Sequence, residues 1–148
     1  MPYTELYCHF VWATRGRAPL LIGELVGLTE GVIRTTAREQ GAVVHAVGVM
    51  PDHVHVAISS PARLAIADLA KVMKGSSSHM LNRLPVTTGA VSFAWQAEYG
   101  ALPFSKRSLS GVAKYVLNQR AHHAEDSLWP TFEIVERPYT RKEPGNDG

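Results

Sequence analysis

The sequence predicts an α+β domain: an antiparallel sheet with helices laid on one of its faces, followed by one further helix. Three observations carry that expectation. Runs of strand length, rich in aromatic and β-branched residues, alternate with longer segments whose apolar residues recur at helical spacing. Two of the strand runs are joined only by Met50-Pro51-Asp52, too short for a crossover, so they pair as an antiparallel hairpin. The chain has 148 residues, 45% hydrophobic and 19% charged, the size and balance of one globular domain.

Leu6 to Thr14, LYCHFVWAT, reads as the first strand, ended by Arg15-Gly16-Arg17-Ala18-Pro19. From Gly23 to Gln40 the residues Leu25, Leu28, Val32 and Ile33 recur at helical spacing, and Gly41 sits where a helix stops. Ala42–Val49 is the second strand and His53–Ser59 the third, ended by Ser60-Pro61. A second helix is expected from Leu64 to Leu84, with Ile66, Leu69, Ala70 and Met73 on one face. Gly75 and Ser76 to Ser78 are candidate points for a bend or break in it. Phe93–Tyr99 is expected as the fourth strand, with Ala101–Phe104 as its extension past Gly100. A third helix runs from Ser108 through Val112, Tyr115, Val116 and Gln119 to about Ala124. The order β-α-β-β-α-β is that of the ferredoxin-like arrangement, here with a C-terminal helix added. Residues 1–125 form the expected domain. Residues 126–148 form a tail, with a short strand expected at Thr131–Val135 and a frayed end.

A domain of this size buries about 68–70% of its unfolded surface, so it needs no staples. With one cysteine, Cys8, the chain has no intramolecular disulfide and no multi-cysteine zinc site. Cys8 lies in a strand, where a small buried hydrophobe is expected rather than a nucleophile. No apolar run reaches the 18 or so residues of a membrane span, and the N-terminus lacks the pattern of a signal peptide, so the expected location is the cytoplasm. The net charge of +2 is unevenly spread: the body is basic and the tail acidic. A basic body suits a polyanion without establishing one. Arg15, Arg17, Lys71, Lys74, Lys106, Arg107 and Arg120 punctuate the loops and helices, with Trp12, Phe93, Trp95, Tyr99 and Phe104 near some of them. Single-stranded nucleic acid is bound by such basic groups and aromatic stacking surfaces, although strand aromatics are more often core. The serine-hydrolase, phosphate-loop, zinc-protease and dinucleotide-binding motifs are all absent.

His53 and His55, two apart on a strand, project to the same face while Val54, Val56 and Ile58 pack behind. Two such imidazoles chelate a divalent metal, or simply face solvent on a hairpin. Their position on what should be a central strand favours a partner. Tyr115 and Gln119 are four apart on a helix and share a face. A tyrosine hydroxyl is a candidate nucleophile and a glutamine oxygen a ligand for a hard metal; equally, the pair suits an ordinary amphipathic helix. His122 and His123 follow one turn later and fit a supporting or surface role.

Taken in order, CHFVWATRGRAPLL, VMPDHVHVAIS, KVMKGSSSHMLN, WQAEYGALPFS and KYVLNQRAHH resemble the single-tyrosine HUH transposases of the compact insertion-sequence and REP-associated type, over about residues 3–125. The resemblance implies a ferredoxin-like homodimer that cuts and rejoins single-stranded DNA beside hairpins, without a nucleotide cofactor. It implies Tyr115 as nucleophile, forming a 5′-phosphotyrosine, and His53, His55 and Gln119 as ligands of Mg²⁺ or Mn²⁺. Lys71, Lys74, Lys106 and Arg107 are then candidate phosphate contacts, with Arg15 and Arg17 in the loop after the first strand as further ones. Neutral imidazoles are needed to bind the metal, so activity is expected to fall below about pH 6. Two rivals remain at this point: a non-cleaving, hairpin-binding regulator, and a small metallohydrolase in which Tyr115 is structural. The stretch from Trp129 to Gly148 matches nothing in the pattern.

Overall fold

The computed structural model describes residues 5–84 and 92–119. The strands are β1 (Glu5–Ala13), β2 (Val43–Met50), β3 (His53–Pro61) and β4 (Gly100–Phe104); the helices are α1 (Glu24–Glu39), α2 (Ile66–Arg83) and α3 (Leu109–Leu117). The sheet is antiparallel throughout, in the order β2-β3-β1-β4, which is the ferredoxin-like topology. The end of the third helix, the tail 126–148 and the strand expected at 131–135 lie outside the described residues.

Alternation along the two central strands divides the molecule. Cys8, Phe10 and Trp12 of β1 and Val54, Val56 and Ile58 of β3 join Leu25, Ile33 and Ala37 of α1 and Leu69, Met73 and Leu81 of α2 in the main core. On the other face α3 seats Val112 and Val116 on Ala46 and Ala57. The α1 stripe is rotated from the expected one. Leu25, Thr29, Ile33, Thr36 and Ala37 face inward, while Leu28 is 42% exposed.

Two further expectations are corrected. The helix over Gly75 and Ser76–Ser78 is continuous; Ser77 is buried in it, its Oγ donating to the Met73 carbonyl (2.7 Å) and accepting from Trp95 Nε1 (2.9 Å). Phe93–Tyr99 is not a strand; it has one bridge, Thr14 to Trp95, and the paired strand is Gly100–Phe104 alone. Two backbone bonds tie the Phe93–Tyr99 segment to the end of β1, Gln96 N–H to the Ala13 carbonyl (2.8 Å) and Arg15 N–H to the Ala94 carbonyl (2.9 Å), and side chains take other backbone groups. Asn82 grips both the N–H and the C=O of Phe93, at 2.7 and 2.8 Å. Lys74 Nζ donates to the carbonyls of Gln96, Ala97 and Glu98. The aromatic rings of this segment go into the core, where Trp95 meets Trp12 edge-on at 5.9 Å. Pro103 fits β4 because β4 is an edge strand with no further ladder to donate to.

Candidate active site

The face beneath α3 gathers the polar residues. β3 begins at His53, directly after the Pro51-Asp52 turn, so His53 and His55 project together toward α3 and are buried, at 1% and 0% exposure. They are not the solvent-facing pair that a hairpin alone would give. Their rings stand edge to face, 5.2 Å apart.

His53 is oriented by the residue before it. Its Nδ1 donates to Asp52 Oδ1 at 2.7 Å, which leaves the lone pair of the neutral ring on Nε2. Arg17 Nε lies 3.2 Å from the other oxygen, Oδ2. The hydrogen bond from His53, together with the Arg17 guanidinium, holds the Asp52 carboxyl below the ordinary carboxylate range. Arg17 reaches Asp52 from a tight turn after β1. Its φ of 58° lies in the left-handed region, next to Gly16 at 65°. A non-glycine residue there carries about 1–2 kcal/mol of strain.

His55 is oriented from β1. His9 Nε2 and His55 Nδ1 share a hydrogen bond of 2.8 Å, with the rings stacked at 5.0 Å. β1 and β3 pair Val11 with His55 and His9 with Ala57, so the two histidines are diagonal neighbours on one face. Sequence reasoning passed over His9. Its signal was available: a histidine alternating with Cys8 and Phe10 in an apolar strand, hence opposite the main core.

α3 completes the cluster. Tyr115 is 1% exposed and presents its ring edge-on to His55 and His9, at 5.9 and 6.2 Å. Gln119 follows one turn later, just past the helix, with Nε2 donating to the Tyr115 carbonyl at 2.8 Å. Its Oε1 is buried and has no hydrogen-bond partner among the described residues. Gly48, paired with His55 across β2 and β3, makes the close seating of α3 possible. A Cβ there would lie 2.3 Å from the Val116 carbonyl oxygen and 3.2 Å from Gln119 Cγ.

The residues fit a divalent metal by their chemistry. His53 has a carboxylate behind Nδ1, the usual outer partner of a ligating histidine. Gln119 offers a buried amide oxygen that nothing else described uses. Among the described residues no three His, Cys, Asp or Glu side chains converge as a metal site. His122 and His123 lie outside the described residues.

The basic candidates separate. Arg15, Lys71, Lys106 and Arg107 are exposed. Arg17 is paired with Asp52, and Lys74 spends its donors on three carbonyls while burial lowers its pKa. Cys8 is buried, and desolvation pushes its thiol up to about 12, so it is no nucleophile. Trp12, Phe93 and Trp95 are core residues, whereas Tyr99 and Phe104 remain half-exposed.

Fold and site together define a class: a ferredoxin-like domain that sets a tyrosine from an added helix against a histidine pair on its central strands. The chain belongs to the IS200-like transposase family, whose sequence pattern matches residues 2–119, ending at Gln119. It is 30% identical over 118 residues to the ISDra2 transposase TnpA of Deinococcus radiodurans, covering 78% of this chain and 84% of that relative. Its structure is similar to the crystal structure of a Deinococcus radiodurans R1 protein described as a transposase, with a TM-score of 0.65, 27% identity, and coverage of 80% and 93% of the two chains. It also resembles a REP-associated tyrosine transposase bound to a REP hairpin, with a TM-score of 0.62 and coverage of 83% and 72%. At 15% identity that second likeness is one of fold. The chain is thus an enzyme of the transposase class, and among its described residues no helix is long and apolar enough to cross a membrane.

Proposed function

We propose that this transposase cleaves and rejoins single-stranded DNA at hairpins through a covalent bond to Tyr115, with Mg²⁺ or Mn²⁺ held by His53, His55 and Gln119. The observation that carries the reading is the Tyr115 ring set against His55, with the Gln119 oxygen, unpartnered among the described residues, one turn away. A divalent ion there would neutralise the scissile phosphate and orient it for in-line attack. Tyr115 Oη forms the bond to phosphorus as the bond from phosphorus to the 3′ oxygen breaks; the tyrosine loses its proton and the leaving oxygen becomes a 3′-hydroxyl. The phosphotyrosine conserves the phosphodiester, so attack by another 3′-hydroxyl reverses the step and joins strands without ATP.

Because Tyr115, His53 and His55 are all buried, the phosphodiester enters between α3 and the sheet. Ala46 and Ala57 against Val112 and Val116, with Phe104 and Ala113 packed on them, form the apolar seat of α3 there. Exposed Lys71, Lys106, Arg107 and Arg15 are the first candidates for phosphate contacts, and their loss should reduce the salt dependence of binding. Arg17 and Lys74 are further candidates, although both already hold protein groups. The hairpin preference is supported by the fold's likeness to a transposase bound to one. A homodimer is part of the proposal, supported by the family resemblance.

The test uses end-labelled single-stranded hairpin oligonucleotides incubated with protein and Mn²⁺. Label from the strand 3′ of the cut should move with protein on a denaturing gel, and the shift should vanish with EDTA and with Tyr115→Phe, a drop of at least about a thousandfold. A heat-stable adduct that persists in Tyr115→Phe would refute the nucleophile. Metal-dependent cleavage without an adduct would point to a hydrolase, and hairpin binding without cleavage to a regulator.

A further inference from the structure

We infer that His9 is a positioning residue that fixes the tautomer and ring orientation of His55, and thereby links the nucleophile helix to the histidine pair. The inference deepens the metal-dependent reading above and rests on it.

A neutral imidazole has one N–H and one lone pair. His9 Nε2 and His55 Nδ1 are 2.8 Å apart in a buried site, so one of them donates and the other accepts. If His55 is to offer a lone pair at Nε2, its proton must sit on Nδ1. His55 then donates and His9 Nε2 accepts, which places the His9 proton on Nδ1. The opposite arrangement, with His9 donating, puts the His55 proton on Nε2 and removes that atom from ligation. The shared hydrogen bond therefore selects between a ligating and a non-ligating His55.

His53 reaches the same state through a different partner, since its Nδ1 donates to Asp52 Oδ1 at 2.7 Å. The two histidines thus have separate supports, a carboxylate for one and an imidazole for the other. His9 also meets Tyr115, whose ring centroid lies 6.2 Å from its own in an edge-on arrangement. One side chain of a central strand therefore touches both a candidate ligand and the candidate nucleophile. A ring that only filled space here would need no acceptor aimed at His55 Nδ1, and Leu or Phe would pack as well.

The experiment compares full-length wild type, His9→Leu and His9→Gln, the last carrying an amide oxygen that can accept where Nε2 does. Long-range ¹H–¹⁵N spectra of the metal-free proteins read the His55 tautomer directly. Mn²⁺ titration followed by electron paramagnetic resonance reads affinity, with His55→Ala marking the site, and thermal unfolding checks the fold. In wild type the His55 proton is expected on Nδ1. His9→Leu should move it toward Nε2 and weaken Mn²⁺ binding about 10–100-fold. His9→Gln should restore most of both.

A wild-type His55 protonated on Nε2 overturns the inference even if His9→Leu does not fold. So does unchanged Mn²⁺ affinity in a folded His9→Leu, or a folded His9→Gln no better than His9→Leu. Failure of the metal reading looks different: wild type would bind no Mn²⁺ that His55→Ala removes. That result takes away the purpose assigned to His9, while the metal-free spectra still report whether His9 orders His55.

Discussion

Beneath α1 and α2 the central strands present Cys8, Phe10, Trp12, Val54, Val56 and Ile58; beneath α3 the same two strands present His9, His53, His55 and Ser59. Both faces are buried, yet they are held differently. On the first, large apolar side chains leave water, each worth about 1.5–3 kcal/mol. On the second, buried polar groups need partners to be tolerated at all, and the structure supplies them: Asp52 for His53, His9 for His55, His45 for Ser59. The apolar contact that seats α3 is a small cluster, Ala46 and Ala57 against Val112 and Val116, with half-buried Phe104 and Ala113 packed on it. A strand's two-residue period thus lets one segment serve stability with one set of positions and the proposed chemistry with the other.

The widest separation between the faces should appear within β3. Ile58→Ala removes a fully buried side chain from the main core and should destabilise the fold by about 2–5 kcal/mol, measured by urea unfolding. Adduct formation per folded molecule should stay within about threefold of wild type, since the opposite face is untouched. His55→Gln should do the reverse, lowering metal-dependent cleavage at least about 100-fold, beyond anything its change in folded fraction explains. Equal specific activities in the two variants would mean that the faces are not functionally separate.

A smaller effect probes the seat of α3. Gly48→Ala places a Cβ 2.3 Å from the Val116 carbonyl oxygen, so the helix must lift. The overpacking should cost about 1–3 kcal/mol. The resulting displacement of Tyr115 should cut adduct formation by up to about 100-fold, since reacting groups tolerate little misplacement. Gly111→Ala is the control. A Cβ there meets nothing within 4 Å, and the change should stabilise α3 by up to about 1 kcal/mol. If Gly48→Ala behaves like Gly111→Ala, the close seating of α3 has no functional weight.

Much of this was legible in the sequence wherever the information is local. β1, β2, β3, α1 and α2 follow from periodicity within two residues at most ends, and the His53–His55 pair is visible because strand geometry places residues two apart on one face. What was missed depends on distant partners. Phe93–Tyr99 has the composition of a strand, but Asn82 and Lys74 from α2 take the backbone groups of Phe93 and the carbonyls of Gln96 to Glu98, and no local pattern announces that. Leu28 fits the apolar stripe of α1 as well as Thr29 does; the sheet's position decides which one turns inward. His9 was overlooked because its partner lies 46 residues away, and only the pairing of β1 with β3 brings them together. Arg17's charge was visible in the sequence, but its pairing with Asp52, 35 residues away, was not.

The finest test concerns Asp52, which stands at the edge of the polar face with 26% of its side chain exposed. Its carboxyl is held below its ordinary value of 3.8, chiefly by the His53 hydrogen bond and then by the Arg17 charge. A group whose pKa is lowered on folding stabilises the fold in its ionised form. That contribution is complete above the ordinary value and is lost as the pH falls through the lowered one. Partial exposure screens it, so Asp52→Asn should cost less than about 1 kcal/mol at pH 7. Urea unfolding of wild type and Asp52→Asn should therefore show a small gap, constant from neutral pH down to about 4 and closing below it. Because asparagine cannot present two anionic oxygens to His53 and Arg17, Mn²⁺ affinity should fall about 10–100-fold even where the stability gap is small. A gap that widens on acidification would contradict the charge assignment, and an unchanged Mn²⁺ affinity would show that the Arg17–Asp52 pair braces the turn without governing His53.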